Sequence, residues 1–200
     1  MRTVRPTVRP LTTVKTNSTP KPRRAKPAVA SFRRYVRLAD GTRVTLRPIR
    51  PSDAAAERAF ILNLSPRSRY QRFFGPMEEV SDAAIAAFTQ VDFTRAMALV
   101  ATTKTPNGEH QIGVARYHIE QGTRSGEFAI VVADAWHGKG VAKRLLKALM
   151  AAGREHHRLK WLFGDTQSDN VRMIGLARSL DFMIDTDPKD ARLVRLRRKL

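Results

Sequence analysis

The arrangement of apolar runs and turn formers predicts an α/β (α+β) fold, with a mixed central sheet of about six to seven strands flanked by about four helices. Three observations carry this. Strand-like runs at 97–103, 111–119 and 125–134 follow one another in mid-chain. A helical stripe begins directly after Gly138 and Gly140. Strand and helix periods then alternate to the C-terminus, as they do when helices cover one sheet.

Each element has a local reason. VRLADGTRVTLRPI reads as two short strands around the turn formers Asp40 and Gly41. Pro51, Ser52 and Asp53 announce a helix over Ala54–Leu64 that Ser52 or Asp53 can cap, and Ser65 and Pro66 end it. Shorter helical segments follow at 66–74 and 82–88. MALVATT and QIGVARYHI form a hairpin about Pro106, Asn107 and Gly108. The nearly continuous apolarity of SGEFAIVVAD marks a central strand covered on both faces. After the glycines, Val141, Leu145, Leu149 and Ala152 recur at helical spacing. KWLFGDT is a further strand, and Met173, Leu176, Ala177 and Leu180 mark a second packed helix capped by Asp169 or Asn170. The final ARLVRLRRKL supplies a closing strand.

Composition narrows the classes. The 200 residues suffice for one domain with a substantial core. With no cysteine there is no disulfide framework and no thiolate nucleophile; a cytoplasmic location is the expectation. The apolar runs fall well short of the ~20 residues that a membrane helix needs, so no membrane partner is expected. The net charge is +19, yet residues 1–37 hold eleven basic and no acidic side chains. The remaining 163 residues hold 26 basic and 18 acidic side chains, a net of +8. Residues 1–34 thus read as a disordered basic tail and 35–200 as the folded domain. The tail is either a solvated extension or an arm for salt-sensitive contact with nucleic acid.

The most informative segment is VVADAWHGKGVAKRLL, in which a buried strand runs through two glycines into a helix. Glycines let the backbone turn sharply and approach a ligand, and the free amides at the helix start attract an anion. A pyrophosphate fits there, with Lys139, Lys143 or Arg144 nearby. The pattern lacks both the GxxxxGK[ST] of a nucleotide P-loop and the full GxGxxG of a dinucleotide fold.

The run AWHGKGVAKRLL resembles the acetyl-CoA signature of the GNAT acetyltransferases, [QR]xxGx[GA], here His137, Gly138, Lys139, Gly140, Val141 and Ala142. His137 stands where the family has Gln or Arg. TLRPIRPSDA and DNVRMIGLARSLDF are similar to other family segments, and SPRSRYQRFF and FTQVDFTRAMALVA to the bacterial Pat-type protein-lysine acetyltransferase domains. The resemblance covers about residues 43–200. It implies direct transfer of an acetyl group from acetyl-CoA, as co-substrate and without metal, to a primary amine. A protein lysine stands slightly ahead of a small-molecule amine as acceptor. It further implies Glu127 as the base, backbone amides near Val131 and Val132 on the pantetheine and thioester, and Asn170 either on the pantetheine arm or organising the site. Two departures stand out: Ala177 where many relatives carry a tyrosine acid, and Asp181 where they carry glycine.

Alternatives stay open. Glu127 could instead form a cross-strand ion pair, for example with Arg116. His118 could accept a proton or be structural, and His156 and His157 lack a second ligand pair at metal spacing. Arg67, Arg69 and Arg72, interleaved with Tyr70, Phe73 and Phe74, read as an exposed helix face or as an acceptor wall. A CoA-sensing or nucleic-acid-associated binding module with weak catalysis is the competing function.

Overall fold

The structure, a computed structural model, describes Val29 and residues 31–75, 79–106, 108–187 and 190–200. The basic stretch before Val29 lies outside the described residues, as does Asn107 of the expected hairpin turn. Among the described residues, eight strands form one sheet in the order β1-β2-β3-β4-β5-β6-β8-β7. They are β1 (Arg34–Arg37), β2 (Arg43–Pro48), β3 (Ala96–Thr105), β4 (Gly108–Ile119), β5 (Ser125–Val132), β6 (Trp161–Gln167), β7 (Met183–Thr186) and β8 (Leu193–Lys199). All neighbours are antiparallel except β5 and β6. Among the described residues there are five α-helices: α1 (Ala54–Leu62), α2 (Pro66–Phe73), α3 (Asp82–Thr89), α4 (Val141–His157) and α5 (Val171–Arg178). None is long and apolar enough to cross a membrane.

The sheet is covered on both faces, as alternation along β3 requires. Met97, Leu99 and Ala101 join one core, while Ala98 and Val100 join the other. Val141, Leu145, Leu149 and Ala152 of α4, each at most 1 % exposed, pack into the first. Phe60 and Ile61 of α1 and Ile85 of α3 pack into the second. Val29 and Phe32 are also buried in the first core, so packing begins before the expected start at residue 35. Phe32 meets the His156 ring edge-on at 6.2 Å. Two apolar side chains three apart among basic residues are too sparse a signal for periodicity to detect.

Two local expectations are corrected. Asp53 stands at the head of α1 but makes no side-chain cap bond. Its carboxylate instead takes two hydrogen bonds from buried Arg47, at 2.7 and 2.9 Å, and one from the Arg50 amide at 2.8 Å. Arg47 also reaches Glu109, which ties β2 to the β3–β4 hairpin. The sheet has one strand more than the six to seven expected because β7, four mostly exposed residues, carries little apolar pattern.

The end of α5 shows what glycine would have supplied at Asp181. Ala177 O accepts bonds from Leu180 N and Phe182 N, both at 3.0 Å, and Asp181 adopts φ 52°. This is the left-handed helix-end motif that glycine favours. The Asp181 carboxylate is 87 % exposed, so its 3.0 Å contact with Arg198 contributes little. Asp181→Gly is therefore expected to raise stability by about 0.5–1 kcal/mol, read as a higher urea midpoint at unchanged slope.

Candidate active site

The site originates where two strands part. β5 and β6 run side by side only through Ser125↔Trp161, Gly126↔Leu162 and Glu127↔Phe163. Beyond that point β5 continues to Val132 with β4 as its only neighbour in the ladder. Gly164 sits at the fork; a Cβ there would lie 2.7 Å from Phe128 O and 3.0 Å from the Phe128 ring. The fork opens into a cleft of about 1580 Å³ lined by β5, β6, α2, α5 and the start of α4.

The opening leaves one edge of β5 without a strand partner. Ala133 N donates to Ile112 O at 2.9 Å, which places the groups of residues 133, 131 and 129 on the β4 side. Those of Phe128, Ile130 and Val132 then face the cleft. Of the two expected amide donors, Val132 presents its N–H to the cleft, whereas Val131 points its own toward β4 and only its side chain lines the wall. Ile130, which periodicity did not single out, supplies the second amide on the open edge.

At the C-terminal end of β5 the chain turns through Asp134–Trp136 into the glycine loop. Gly138 and Gly140 adopt φ 75° and 79°, and Gly140 heads α4. Nothing lies within 4 Å of where a Gly138 Cβ would stand, so the loop's outer surface is open. The first amides of α4 have no partner within the helix and point out of its end. Lys143 and Arg172 line the same mouth of the cleft. Lys139 instead lies over the Trp136 ring at 4.8 Å and 4.0 Å from Asp40, and Arg144 donates to Arg37 O at 3.1 Å. Val141 and Ala142 complete the loop, the former buried beneath it.

His137 is a structural clasp. Its Nε2 lies 2.9 Å from Val132 O and its Nδ1 3.2 Å from Arg172 Nη1. A carbonyl accepts and a guanidinium donates, so these two contacts suit Nε2 as donor and Nδ1 as acceptor. It fastens the end of β5 to α5 across the cleft mouth. Asn170 likewise uses both ends of its amide internally: Oδ1 accepts from Met173 N at 3.2 Å, and Nδ2 donates to Thr166 Oγ1 at 3.0 Å. It lines the cleft as a cap of α5. Ala177 is fully buried, turned away from the cleft that Met173 and Leu176 face.

Glu127 lies at the fork itself, half-buried, on the β5 face that α2 covers. It makes no hydrogen bond or ion pair among the described residues. Arg116 is committed elsewhere: it stands opposite Ala129, bonds Glu57 at 3.2 Å and lies 4.9 Å from the Phe88 ring centroid. The residue opposite Glu127 is exposed His118. Burial pushes the Glu127 carboxyl above its ordinary range, nearby Asp165 pushes it further, Arg195 opposes them, and Glu120 adds to the rise. Around it, Glu120, Asp165, Asp187 and Asp190 line the same cleft with Arg192 and Arg195.

α2 forms the opposite wall and is anchored by a residue that the sequence did not single out. Asp134 accepts from Ser65 N at 2.9 Å, Ser65 Oγ at 2.8 Å and Ser68 Oγ at 2.7 Å, joining the cap of α2 to the glycine loop. Of the basic residues on α2, Arg72 lines the cleft, with Gln71 and Phe74, while Arg67 faces solvent. His157 bridges Tyr117 Oη, 2.5 Å from Nδ1, and Phe93 O, 2.9 Å from Nε2, inside the first core. No metal-ligand cluster occurs among the described residues.

The model of the acetyltransferase (GNAT) domain family matches residues 43–183, more than half of the chain. The chain is 31 % identical over 154 residues to an acetyltransferase of Pseudomonas aeruginosa, PA5475, covering 77 % of this chain and 82 % of that one. Its fold is similar to the crystal structure of the GNAT domain of S. lividans PAT, with a TM-score of 0.75 and 30 % identity, covering 84 % of this chain and 97 % of that one. It is also similar in fold to RimL, a ribosomal L7/L12 α-N-protein acetyltransferase solved with coenzyme A, with a TM-score of 0.65 at 15 % identity over 78 % of this chain and 94 % of that one.

The fork makes a prediction of its own. Gly164→Ala places a methyl against backbone rather than a flexible side chain, so stability is expected to fall by about 1–3 kcal/mol in thermal or urea unfolding. A loss within about 0.5 kcal/mol would show that the strands part for another reason.

Proposed function

Because the chain belongs to the GNAT acetyltransferase family, acetyl-CoA-dependent N-acetyltransferases, we propose that it acetylates the side-chain amine of a protein lysine with Glu127 as base. The observation that carries this reading is Glu127 itself: a half-buried carboxylate without a partner among the described residues, on the cleft wall where the two strands separate. The residues of the cleft mouth fit the co-substrate. Free amides of the glycine loop and first turn of α4, with Lys143 and Arg172, suit its pyrophosphate. The open-edge amides of Ile130 and Val132 suit the pantetheine and thioester oxygen, where preorganised donors contribute several kcal/mol to the transition state. Asn170 lines the cleft as the cap of α5, bonded to Thr166 of β6, and offers no free amide group.

The acceptor arrives from the other side. A lysine amine has a reference pKa of about 10.4 and is almost wholly protonated at neutral pH, so it must lose a proton before attack. The amine nitrogen then bonds to the acetyl carbon, the carbon–sulfur bond breaks, CoA leaves as the thiolate, and the extra proton on the acylated nitrogen passes to solvent or to that thiolate. Since Ala177 provides no acid, the thiolate, of pKa about 8.5, leaves unassisted or is protonated by water. Five carboxylates against three guanidiniums, Arg72, Arg192 and Arg195, at this end favour a cationic acceptor, although the chain as a whole carries +19.

Steady-state CoA release with a lysine peptide tests the assignment. Glu127→Gln is expected to lower kcat by about 10²–10⁴ with little change in acetyl-CoA affinity. In the wild type, kcat/KM should fall as pH drops through the raised Glu127 pKa, since only the ionised carboxylate accepts a proton; the variant should lack that limb. Unchanged kcat in Glu127→Gln rules out this base, and turnover of spermidine far above that of the peptide rules out the protein lysine.

A further inference from the structure

Beside the acceptor half of the cleft lies a charge cluster that proton transfer at Glu127 does not use. Glu57 of α1 is 1 % exposed; its carboxylate accepts from Gln111 Nε2 and, at 3.2 Å, from Arg116 Nη2. Arg116 Nε is enclosed and has no hydrogen-bond partner among the described residues. Arg72, in the last turn of α2, covers the Phe73 ring, which stacks at 6.0 Å on Phe88, the ring that Arg116 covers from its own side, so a second guanidinium approaches the same place. It lines the cleft and lies 4.9 Å from the Phe73 ring centroid, with no hydrogen bond or ion pair among the described residues. One carboxylate therefore faces two guanidiniums. Burial pushes Arg72 down to about 9, Arg116 adds to the fall, and Glu57 only partly offsets it. Arg72 is half-buried and open to the cleft, so an anion entering there meets a guanidinium that nothing else among the described residues neutralises.

Its position says where that anion belongs. Arg116 stands opposite Ala129, on the face of the sheet that carries Glu127 two residues along β5, about 7 Å away. Ser68, Gln71 and Arg72 present the corresponding face of α2 to the cleft. We infer that Arg72, backed by Arg116, is a carboxylate subsite of the acceptor pocket, so that the preferred acceptor carries a carboxylate close to the amine it presents to Glu127. This rests on the amine-acetylation reading and narrows it. The acidic rim receives the amine, and the guanidinium receives the acid. A planar fork suits a bidentate carboxylate and excludes a neighbouring lysine or arginine from the same spot. The carboxylate can come from an acidic residue beside the acceptor lysine or from the α-carboxylate of a free amino acid.

The test measures kcat/KM with acetyl-CoA for two matched pairs. One is a capped peptide with Asp or Asn directly after its lysine; the other is free lysine or lysinamide. In the wild type the acid member of one pair should exceed its amide by at least about tenfold, mostly through KM. Which pair responds identifies the source. In Arg72→Gln the ratio should collapse to within about twofold, and Arg72→Lys should restore part of it. No discrimination in the wild type, or discrimination that survives in Arg72→Gln, overturns the subsite. A second readout does not need turnover: glutarate should raise the wild-type melting temperature, and glutaramide should not. That rise should vanish in Arg72→Gln. Without it in the wild type the subsite is wrong, whereas failure of every amine to be acetylated while glutarate still binds counts against the amine-acetylation reading alone.

Discussion

The separation of β5 from β6 after three paired residues is the constraint on which the site depends. Phe128 O and its ring crowd the position of Gly164, so the two strands meet there as closely as backbone allows before diverging. Divergence leaves the groups of Ile130 and Val132 without a ladder partner on that side. A buried unpaired amide is expensive, and here the expense is avoided because the edge faces an open cleft rather than a packed interior. The same opening brings the fork, the glycine loop and the start of α5 around one space. His137 and Asp134 then fasten the two sides, one to α5 and the other to α2.

Charge is arranged against the average of the chain. At physiological salt, exposed charges are screened beyond about 8 Å, so a cationic acceptor near Glu127 responds to the carboxylates lining the cleft more than to the net charge of the chain. At the mouth the balance reverses, with Lys143 and Arg172 beside the helix end. The cleft therefore has a cationic end suited to phosphates and an acidic end suited to amines. Arg72 interrupts the acidic end at one point on its wall.

Features with a local chemical signature were legible in the sequence. The glycine pair and the apolar stripe of α4 follow from residue type and spacing, and Glu127 from the family resemblance; the structure places the glycines and Glu127 on the cleft and the stripe in the core beneath it. Features set by register were not. Nothing in EFAIVV shows which amides lose their partner, because that depends on where β6 stops pairing. The same holds for Arg116, whose spacing permits a pair with Glu127 but whose strand places it opposite Ala129 and beside Glu57. Arg72 could be read only as a member of a basic helix until α2 was placed over β5. Asp53 illustrates the converse: a good cap by type, drawn away by a buried arginine from a neighbouring strand.

The central claim is that the open edge of β5 and the glycine loop together hold the co-substrate, and amide hydrogen exchange with and without coenzyme A tests it most directly. Val131, already paired with β4, should exchange slowly in both states. Ile130, Val132 and the amides from Gly138 to Lys143 should exchange quickly in the free protein and become protected on addition of coenzyme A. Coenzyme A binding that leaves Ile130 and Val132 unprotected while slowing exchange elsewhere would contradict the account, because the parting of the strands would then serve some other purpose.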